Sequence, residues 1–218
     1  MGEAVLKLKR LLYQVKLELG TIFQGLVVNV LGGSVLVPRP LRFVLYRLGG
    51  VKTKSAEIFP RCVLGHRAHL GVHVGLGWGV FIDNSAEVYI GDHTIVGPQA
   101  TFLTAGHPIG AEGVDRQTFV KQPVRVGVHS WVGARALIMP GVTIGDHCVV
   151  AAGSVVTKDC DSYGLYAGVP ARKLRTLAAE PAAVSLDDGA PLAIEATGAL
   201  AAEVVAGLAD SRQARATA

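Results

Sequence analysis

His107 is the residue in this sequence best suited to proton transfer. It stands between Gly106 and Pro108, where a regular pattern of aliphatic residues is interrupted. An imidazole titrates near physiological pH, so its neutral form can accept a proton from a hydroxyl group as a general base. The remaining histidines are predicted to be solvated or structural side chains: His66, His69, His73, His93, His129 and His147.

A second group of residues could bind phosphate. Thr157 and Lys158 close one stretch of the repeating pattern, and Arg172 and Arg175 follow the turn at 168–170. Ammonium and guanidinium groups form charge-assisted hydrogen bonds with phosphate oxygens. Because exposed cations are usually only solvated, an ordinary solvated surface is the alternative.

The composition limits the class of protein. The 218 residues fit one good-sized domain, and only 6% are aromatic although half are hydrophobic, so Val, Ile, Leu and Ala must fill the core. The net charge of +4 is modest, and no basic run with interleaved aromatics suggests nucleic-acid binding. Cys62, Cys148 and Cys160 lack a CxxC spacing, which predicts reduced thiols and a cytoplasmic location.

Aliphatic residues recur every six positions. One run leads with Val120, Val126, Val132, Ile138, Ile144, Val150 and Val156, and the fifth residue of each unit is small or β-branched. An earlier run leads with Ile58, Leu64, Leu70, Leu76 and Ile82, then shifts by two residues to Ile90, Val96 and Phe102.

This period predicts a β-helix. Six residues turn an α-helix by about 600°, so successive lead residues would point in different directions. A coil with three flat sides fits, because each hexad forms one strand and one corner and each lead residue stacks on the turn below. Corners need left-handed backbone angles, which Gly91-Asp92, Gly141 and Gly145-Asp146 are predicted to supply.

Three regions follow from this pattern. Residues 1–57 are predicted to be an N-terminal helical segment, residues 58–175 an all-β parallel helix, and residues 176–218 an Ala-rich tail. A loop at 104–119 leaves one corner of the β-helix, and loops on a rigid scaffold are where function is expected. Within the tail, 192–208 has two interpretations, a helix or a mobile segment.

The N-terminal segment raises the question of a membrane. Residues 21–38 carry no charge and approach the length of about 18 residues that a spanning helix needs. Polar residues such as Gln24 and Asn29 argue against a span, and the preceding 6–19 resembles an amphipathic helix rather than a signal peptide. We expect helices that pack on the main domain or on a neighbouring subunit. Contact with a membrane surface is the alternative.

Several short blocks stand out by their order and spacing. They are Ile90-Gly91-Asp92, Thr104-Ala105-Gly106-His107-Pro108, Trp131-Val132-Gly133, and the stretches 140–146, 152–159 and 167–172. Together they resemble the hexapeptide-repeat O-acetyltransferases, most closely the maltose and galactoside acetyltransferases and the related enzymes that acetylate polysaccharides. The resemblance covers about 58–175.

The resemblance implies a fold, an assembly and a donor. The fold would be a left-handed β-helix, an exception to the usual right-handed crossover, assembled as a homotrimer with active sites between subunits. Acetyl-CoA would be the acyl donor, and no metal is expected. His107 matches the family's catalytic histidine, which implies a direct transfer in which it takes the proton of the acceptor hydroxyl during attack on the thioester.

The resemblance also implies binding residues. Asp83 falls close to a carboxylate that holds the acceptor in the family, and Asn84 is a rival because the repeat shifts register nearby. Trp131 matches the position of an aromatic residue beside the family's CoA groove. The alternative is that it only fills a gap between subunits. The other positions that match the donor site are Ala134, Ala152, Gly153, Thr157, Lys158, Arg172 and Arg175.

The acceptor is the least defined part of this prediction. The loop departs from the sugar-acetylating enzymes at 110–115, where Gly-Ala-Glu-Gly-Val-Asp replaces a more basic and histidine-rich stretch. We predict a sugar-type acceptor, with a hydroxylated secondary metabolite and a larger acyl group as alternatives. Two other functions compete: a zinc carbonic anhydrase, which needs three histidines but has Glu112 at the third position, and a non-catalytic trimeric scaffold.

Overall fold

Three faces of short parallel strands wind into a β-helix of about six turns, preceded by helices. The computed structural model describes residues 2–110 and 113–177. The all-β, parallel β-helix predicted from the six-residue period is therefore confirmed. The predicted helix or mobile segment at 192–208 lies outside the described residues.

The helices come first in the chain. Helix α1 spans Gly2–Gln24, continues into a π-helix at Gly25–Gly32, and is followed by α2 at Arg39–Leu48. The strands, in chain order, are β1 Lys52–Thr53, β2 Ala68–Leu70, β3 Gly75–Leu76, β4 Phe81–Ile82, β5 Val88–Ile90, β6 Ile95–Val96, β7 Thr101–Phe102, β8 Ala105–Gly106, β9 Ile109–Gly110, β10 Gly113–Val114, β11 Val120–Lys121, β12 Val124–Val126, β13 Trp131–Val132, β14 Leu137–Ile138, β15 Thr143–Ile144, β16 Val149–Val150, β17 Val155–Val156, β18 Gly164–Gly168 and β19 Ala171–Thr176.

Each face of the coil is one sheet. The first sheet runs β1-β2-β5-β12-β15, and the third runs β4-β7-β14-β17. The second sheet runs β3-β6-β13-β16-β18 and ends with β19, which pairs antiparallel to β18. Strands β8 to β11 belong to the loop.

The aliphatic column fills the interior as predicted, with one exception. Its members from Ile58 to Phe102 and from Val126 to Val156 are buried. In the second sheet, Val132 pairs with Val96 below and with Val150 above, so equivalent residues stack. The assignment of Val120 to this column is wrong. Val120 is 41% exposed and lies in β11 of the loop.

Small residues follow the column because the coils approach each other closely there. A Cβ atom on Gly133 would collide with the backbone of Ala152 on the next coil, and one on Gly97 would collide with that of Ala134. The small residues at these positions therefore serve the stacking of coils.

The corner prediction is correct at Gly141, which has a φ of +82°, and wrong at the two Gly-Asp pairs. At those corners the left-handed residue is the following histidine, His93 or His147. The aspartates act between coils instead, since Asp146 Oδ1 accepts a hydrogen bond from Val128 N at 2.8 Å, as Asp92 does from Val72 N.

The left-handed histidines form a ladder. The rings of His73, His93, His129, His147 and Tyr163 stack in that order, with neighbouring centroids 4.7–5.2 Å apart. Each of these residues has a positive φ. These histidines thus line one corner of the scaffold and stack ring on ring.

The coil begins before the predicted start at Ile58. Strand β1 pairs in parallel with β2 and already belongs to the first sheet. The six-residue pattern is disguised there because buried Thr53 takes the place of an aliphatic residue. Its hydroxyl donates to Ser55 O at 2.9 Å and accepts from Ser55 N at 3.0 Å, which satisfies its polar group inside the coil.

Arg42 on α2 attaches the helices to the first coil. It is only 3% exposed. Its guanidinium donates to four backbone carbonyl oxygens, those of Gly32 at 2.9 Å, Ser34 at 3.0 Å, Val37 at 2.6 Å and Ile58 at 3.0 Å. The last of these lies on the coil itself, so one side chain joins three segments.

Candidate active site

The loop that carries His107 is a hairpin of two short ladders. Strand β8 pairs antiparallel to β11, and β9 pairs antiparallel to β10 farther out. Gln122 N donates to Thr104 O at 2.8 Å and closes the base of the hairpin. His107 follows β8 directly and is exposed, so a rigid ladder fixes its backbone.

The tautomer of His107 follows from its neighbours. Its Nδ1 lies 3.1 Å from Asp115 O and 3.1 Å from Thr118 O. Carbonyl oxygens only accept hydrogen bonds, so Nδ1 carries the proton in the neutral ring and Nε2 keeps its lone pair. The ring also packs against Phe119, with centroids 4.3 Å apart. His107 is thus oriented with a proton-accepting nitrogen available.

Asp115 shapes the turn that supplies these carbonyls. Its Oδ1 accepts hydrogen bonds from Gln117 N at 2.9 Å and Thr118 N at 3.2 Å. Hydrogen bonding from the Thr118 side chain, followed by that from the Gln117 backbone, holds the pKa of Asp115 below its ordinary value. Asp115 is therefore a positioning residue that acts on His107 through the backbone.

Asp83 anchors the start of the loop. Its Oδ1 accepts from Ser85 N and Ser85 Oγ, and its Oδ2 accepts from Thr104 N at 3.1 Å and Thr104 Oγ1 at 2.9 Å. Burial raises the pKa of Asp83, but the hydrogen bonds from Thr104 and Ser85 outweigh it and lower the pKa overall. Asn84, the rival candidate, accepts a hydrogen bond from Arg67 N at 3.0 Å and packs over Gly65.

We predict that Asp83→Asn destabilises the protein in a pH-dependent way. The pKa of Asp83 is lower in the folded chain than its ordinary value of 3.8. Its carboxylate therefore contributes stability above that value, and the contribution is lost as the pH falls through the lower, folded pKa. Urea titrations at a series of pH values should show a gap between wild type and variant at neutral pH that narrows in acid. A gap of constant size would contradict the prediction.

A groove crosses the second sheet and its corner with the third sheet. It encloses about 530 Å³, and the rings of Phe59, Trp78 and Trp131 line it together with Pro98 and Ala134. The Phe59 and Trp78 ring centroids lie 6.4 Å apart. Its charged lining residues are Arg39 and Glu57. Such a surface suits an elongated ligand with an apolar arm.

The groove contains two of the residues predicted to bind the donor, Trp131 and Ala134. Ala152 and Gly153 occupy the same corner one coil farther along, where Gly153 N donates to Ala134 O at 2.8 Å. The cations lie beyond the groove on two sheets: Lys158 follows β17 of the third sheet, whereas Arg172 and Arg175 lie on β19 of the second.

These positions belong to the last coils. Thr157, Lys158, Arg172 and Arg175 are all exposed. The β18–β19 hairpin is tied to the corner, since Gly168 N donates to Ser154 Oγ at 3.3 Å. The predicted donor residues are therefore spread along one edge of the β-helix. None of the described loop residues, 104–110 and 113–121, lines the groove.

Several groove residues were not predicted from the sequence. Trp78 stands between Gly77 and Gly79, at the corner two coils before Ala134. Its ring is 44% exposed, and an exposed Trp on a chain with only two was a signal that could have been used. Phe59 and Arg39 gave no such signal, because the contact between them, with the Arg39 guanidinium 4.6 Å from the ring centroid, joins a helix to the first coil.

Comparison with known proteins places this geometry in context. Residues 123–158 match the family model "Hexapeptide repeat of succinyl-transferase". A hexapeptide-repeat acetyltransferase from Vibrio cholerae has a similar structure, with a TM-score of 0.67 at 30% identity over 75% of this chain and 93% of that one. The same protein complexed with acetyl-CoA gives a TM-score of 0.64 at 31% identity, over 71% of this chain and 86% of that one.

Two further proteins are similar. A maltose O-acetyltransferase from Clostridium difficile gives a TM-score of 0.60 at 28% identity, over 74% of this chain and 86% of that one. The galactoside O-acetyltransferase of Escherichia coli is 35% identical over 113 residues, which are 52% of this chain and 56% of that protein. The chain thus spans little more than half the length of that curated relative.

Proposed function

The chain belongs to the hexapeptide-repeat acetyltransferases, and from this premise we propose that it transfers an acetyl group from acetyl-CoA to a hydroxyl of a saccharide. The observation that carries the proposal is the fixed ring of His107. Its Nδ1 faces two carbonyl oxygens, so Nε2 is available to accept a proton.

His107 is the general base in this proposal. Its Nε2 removes the proton of the acceptor hydroxyl while that oxygen attacks the thioester carbonyl of acetyl-CoA. The C–O bond forms, the C–S bond breaks, and CoA leaves with the proton that the imidazolium returns to its sulfur. The transfer is direct, without an acyl-enzyme. The carbonyls of Asp115 and Thr118 stabilise the imidazolium, because its Nδ1–H still points at them.

The donor is assigned to the groove and the edge of the β-helix beyond it. Trp131 and Ala134 contact the pantetheine arm of CoA, and the small residues Ala152 and Gly153 leave room for it. Thr157 contacts the donor at the end of the last hexad. Lys158, Arg172 and Arg175 pair with the phosphates. Support comes from the open backbone at Gly153, where an added Cβ would meet no atom within 4 Å, and from the exposure of these cations.

We assign the complete site to the boundary between subunits of a homotrimer. Within one chain the groove lies on the second sheet, and the described part of the His107 loop contributes nothing to it. Exposed apolar side chains border the groove, among them Trp78 and Ile95, at 44% and 58% exposure. A neighbouring subunit would cover these side chains and bring its own loop to the groove.

A saccharide acceptor is supported by the names of similar proteins, which include a galactoside and a maltose O-acetyltransferase. The carboxylate of Asp83 is held at the base of the His107 hairpin, where it could position a sugar hydroxyl as well as the loop. A hydroxylated secondary metabolite, or an acyl group larger than acetyl, is the alternative that the assay below separates.

The test is thiol release from acyl-CoA donors. The full chain is incubated with acetyl-CoA or propionyl-CoA and with free sugars, oligosaccharides or hydroxylated aromatic compounds, and the acceptor is examined by mass spectrometry. An acetyl mass shift on a saccharide supports the proposal. If acetyl-CoA binds but no acceptor is turned over, a non-catalytic scaffold explains the chain better.

We predict that Ala134→Leu weakens donor binding. The larger side chain enters the groove beside Trp131, so we expect the KM for acetyl-CoA to rise by about tenfold or more, which corresponds to about 1.4 kcal/mol. Thr143→Leu adds a similar side chain on the exposed face of the first sheet and serves as the matched control. Steady-state kinetics with varied acetyl-CoA check this, and equal KM values for the two variants would contradict it.

A further inference from the structure

The N-terminal helix carries an uncovered apolar stripe. We define the apolar stripe as Leu8, Leu11, Leu12, Val15, Leu19, Ile22 and Phe23 of α1. Each of these side chains is between 43% and 64% exposed. At 3.6 residues per turn they fall within an arc of about 120°. A continuous apolar face of this width marks an interaction surface.

The body of the protein approaches this stripe at one edge, where Phe23 lines a shallow groove. Tyr13, Lys16, Gly20 and Gln24, on the adjoining side of the helix, line the same groove together with Gly49 and His66. The Gln24 Oε1 atom lies 3.5 Å from His66 Nδ1. The helix therefore turns its more polar side to the β-helix and its apolar stripe away from it.

The charges beside the stripe favour lipid over a second copy of the chain. Lys9 and Lys16 border one edge of the stripe, and between Leu6 and Gln24 four basic residues stand against one acidic residue, Glu18. In a parallel bundle of identical helices this edge would face the opposite edge of the neighbouring helix, where Lys7 stands beside Glu18 and no net negative charge balances Lys9 and Lys16. An anionic surface attracts them, while their methylene stems cover apolar area.

The helix is also long enough to span a membrane. Within the 27-residue helix Leu6–Gly32, a window of 18 residues has a mean hydropathy of 1.3 and is only 18% buried, which meets the length and composition of a membrane span. The most apolar part of this helix is its second half, where Asn29 Oδ1 accepts a hydrogen bond from Leu64 N at 3.0 Å and Gly32 O accepts one from Arg42 Nε at 2.9 Å. These contacts tie the second half to the body of the protein and oppose a spanning orientation, whereas the exposed first half can lie in the plane of a membrane surface.

We propose that α1 docks on an anionic membrane surface, with its apolar stripe among the lipid chains and its lysines at the headgroups. The proposal rests on the helix alone and is independent of acetyl transfer. It places the β-helix at the membrane as a peripheral protein, attached through a helix that contributes no residue to the donor groove on the second sheet.

Flotation with vesicles tests the proposal. The full chain should float with vesicles of phosphatidylcholine mixed with phosphatidylglycerol, and much less with phosphatidylcholine alone. Added salt should reduce binding, and alkaline carbonate should release the bound protein. We expect Leu12→Glu or Leu19→Glu to weaken binding by about tenfold or more. The matched control is Gln14→Glu, which adds the same charge on the polar side and should cost much less.

Charge and folding are checked separately. Lys9→Gln combined with Lys16→Gln should lower binding to anionic vesicles by about tenfold and leave binding to neutral vesicles unchanged. All variants should keep the thermal midpoint of the wild type, because the substituted residues Lys9, Leu12, Gln14, Lys16 and Leu19 are all exposed.

Three results would overturn the proposal. Equal binding to both vesicle types with retention in carbonate would indicate a spanning helix. A change of mass in light scattering on Leu12→Glu, without flotation of the wild type, would indicate a second copy as the partner. Failure of the wild type to float, with no change of mass, would leave the stripe without either role.

Discussion

Replacing His107 with alanine is expected to lower kcat for acetyl transfer by about 10²–10⁴-fold, the usual contribution of a general base. The loss should fall on kcat and leave the dissociation constant for acetyl-CoA nearly unchanged, because the ring lies outside the residues that line the groove. Steady-state kinetics and calorimetric titration of acetyl-CoA measure the two quantities.

His66→Ala is the matched control for this substitution. It removes another exposed imidazole, one that faces Gln24 and Asn84 at the N-terminal end, and we expect turnover close to that of the wild type. A further variant, Asp115→Ala, should lower kcat less than the loss of the base, because it only loosens the two carbonyls at Nδ1. If His107→Ala and His66→Ala show the same activity, the assignment of the base is wrong.

Replacing Arg42 with methionine is expected to cost about 3 kcal/mol or more of stability, which would be a large part of the stability of a typical domain. Four carbonyl oxygens lose their donor at once, and methionine of similar length offers no hydrogen bond in return. Arg42→Lys should also destabilise, since one ammonium cannot reach four acceptors arranged around a planar fork. Urea denaturation followed by circular dichroism measures both variants.

Arg47→Met controls for the loss of a cation on the same helix. Arg47 is exposed, and its substitution should change the free energy of unfolding by about 0.5 kcal/mol or less. An Arg42→Met variant that unfolds no more easily than Arg47→Met would show that the four hydrogen bonds contribute little.

Much of the scaffold was predictable because the coil repeats a simple physical demand. Each turn must bury one aliphatic residue per side. The spacing of residues such as Val126, Ile138 and Val150 is enough to predict this burial. The start of the coil was not predictable, because buried Thr53 satisfies its hydroxyl through Ser55 and no pattern of aliphatic residues reports such local hydrogen bonding.

The corners show a different limit of prediction from the sequence. A Gly-Asp pair suggested the left-handed residue by its general tolerance for that conformation, yet the structure gives it to His93 and His147. The stacking of rings between successive coils favours histidine there, and these contacts join residues between 16 and 36 positions apart. Only the fold brings them together, so a rule based on single-residue preference could not find them.

Candidate residues for the site could be named from the sequence, whereas their contacts could not. His107 was chosen as the candidate base from the interruption of the repeat and from its neighbours in sequence. The carbonyls of Asp115 and Thr118 that set its tautomer could not, because any residue type carries a carbonyl and only the path of the hairpin places these two. Asp83 was singled out as a carboxylate, whereas its hydrogen bonds to Thr104 depend on the turn below the loop.

Arg42 and α2 cover the first coil, and this has a consequence for solubility. A parallel coil ends in a strand with unpaired amides, and such an edge would accept strands from other molecules. α2 packs against β1, and Arg42 donates a hydrogen bond to Ile58 O. A strand from another molecule therefore meets a helix instead of an open strand edge. Loss of the contact between α2 and the first coil should therefore produce filamentous aggregates that grow end to end, before the coils themselves unfold.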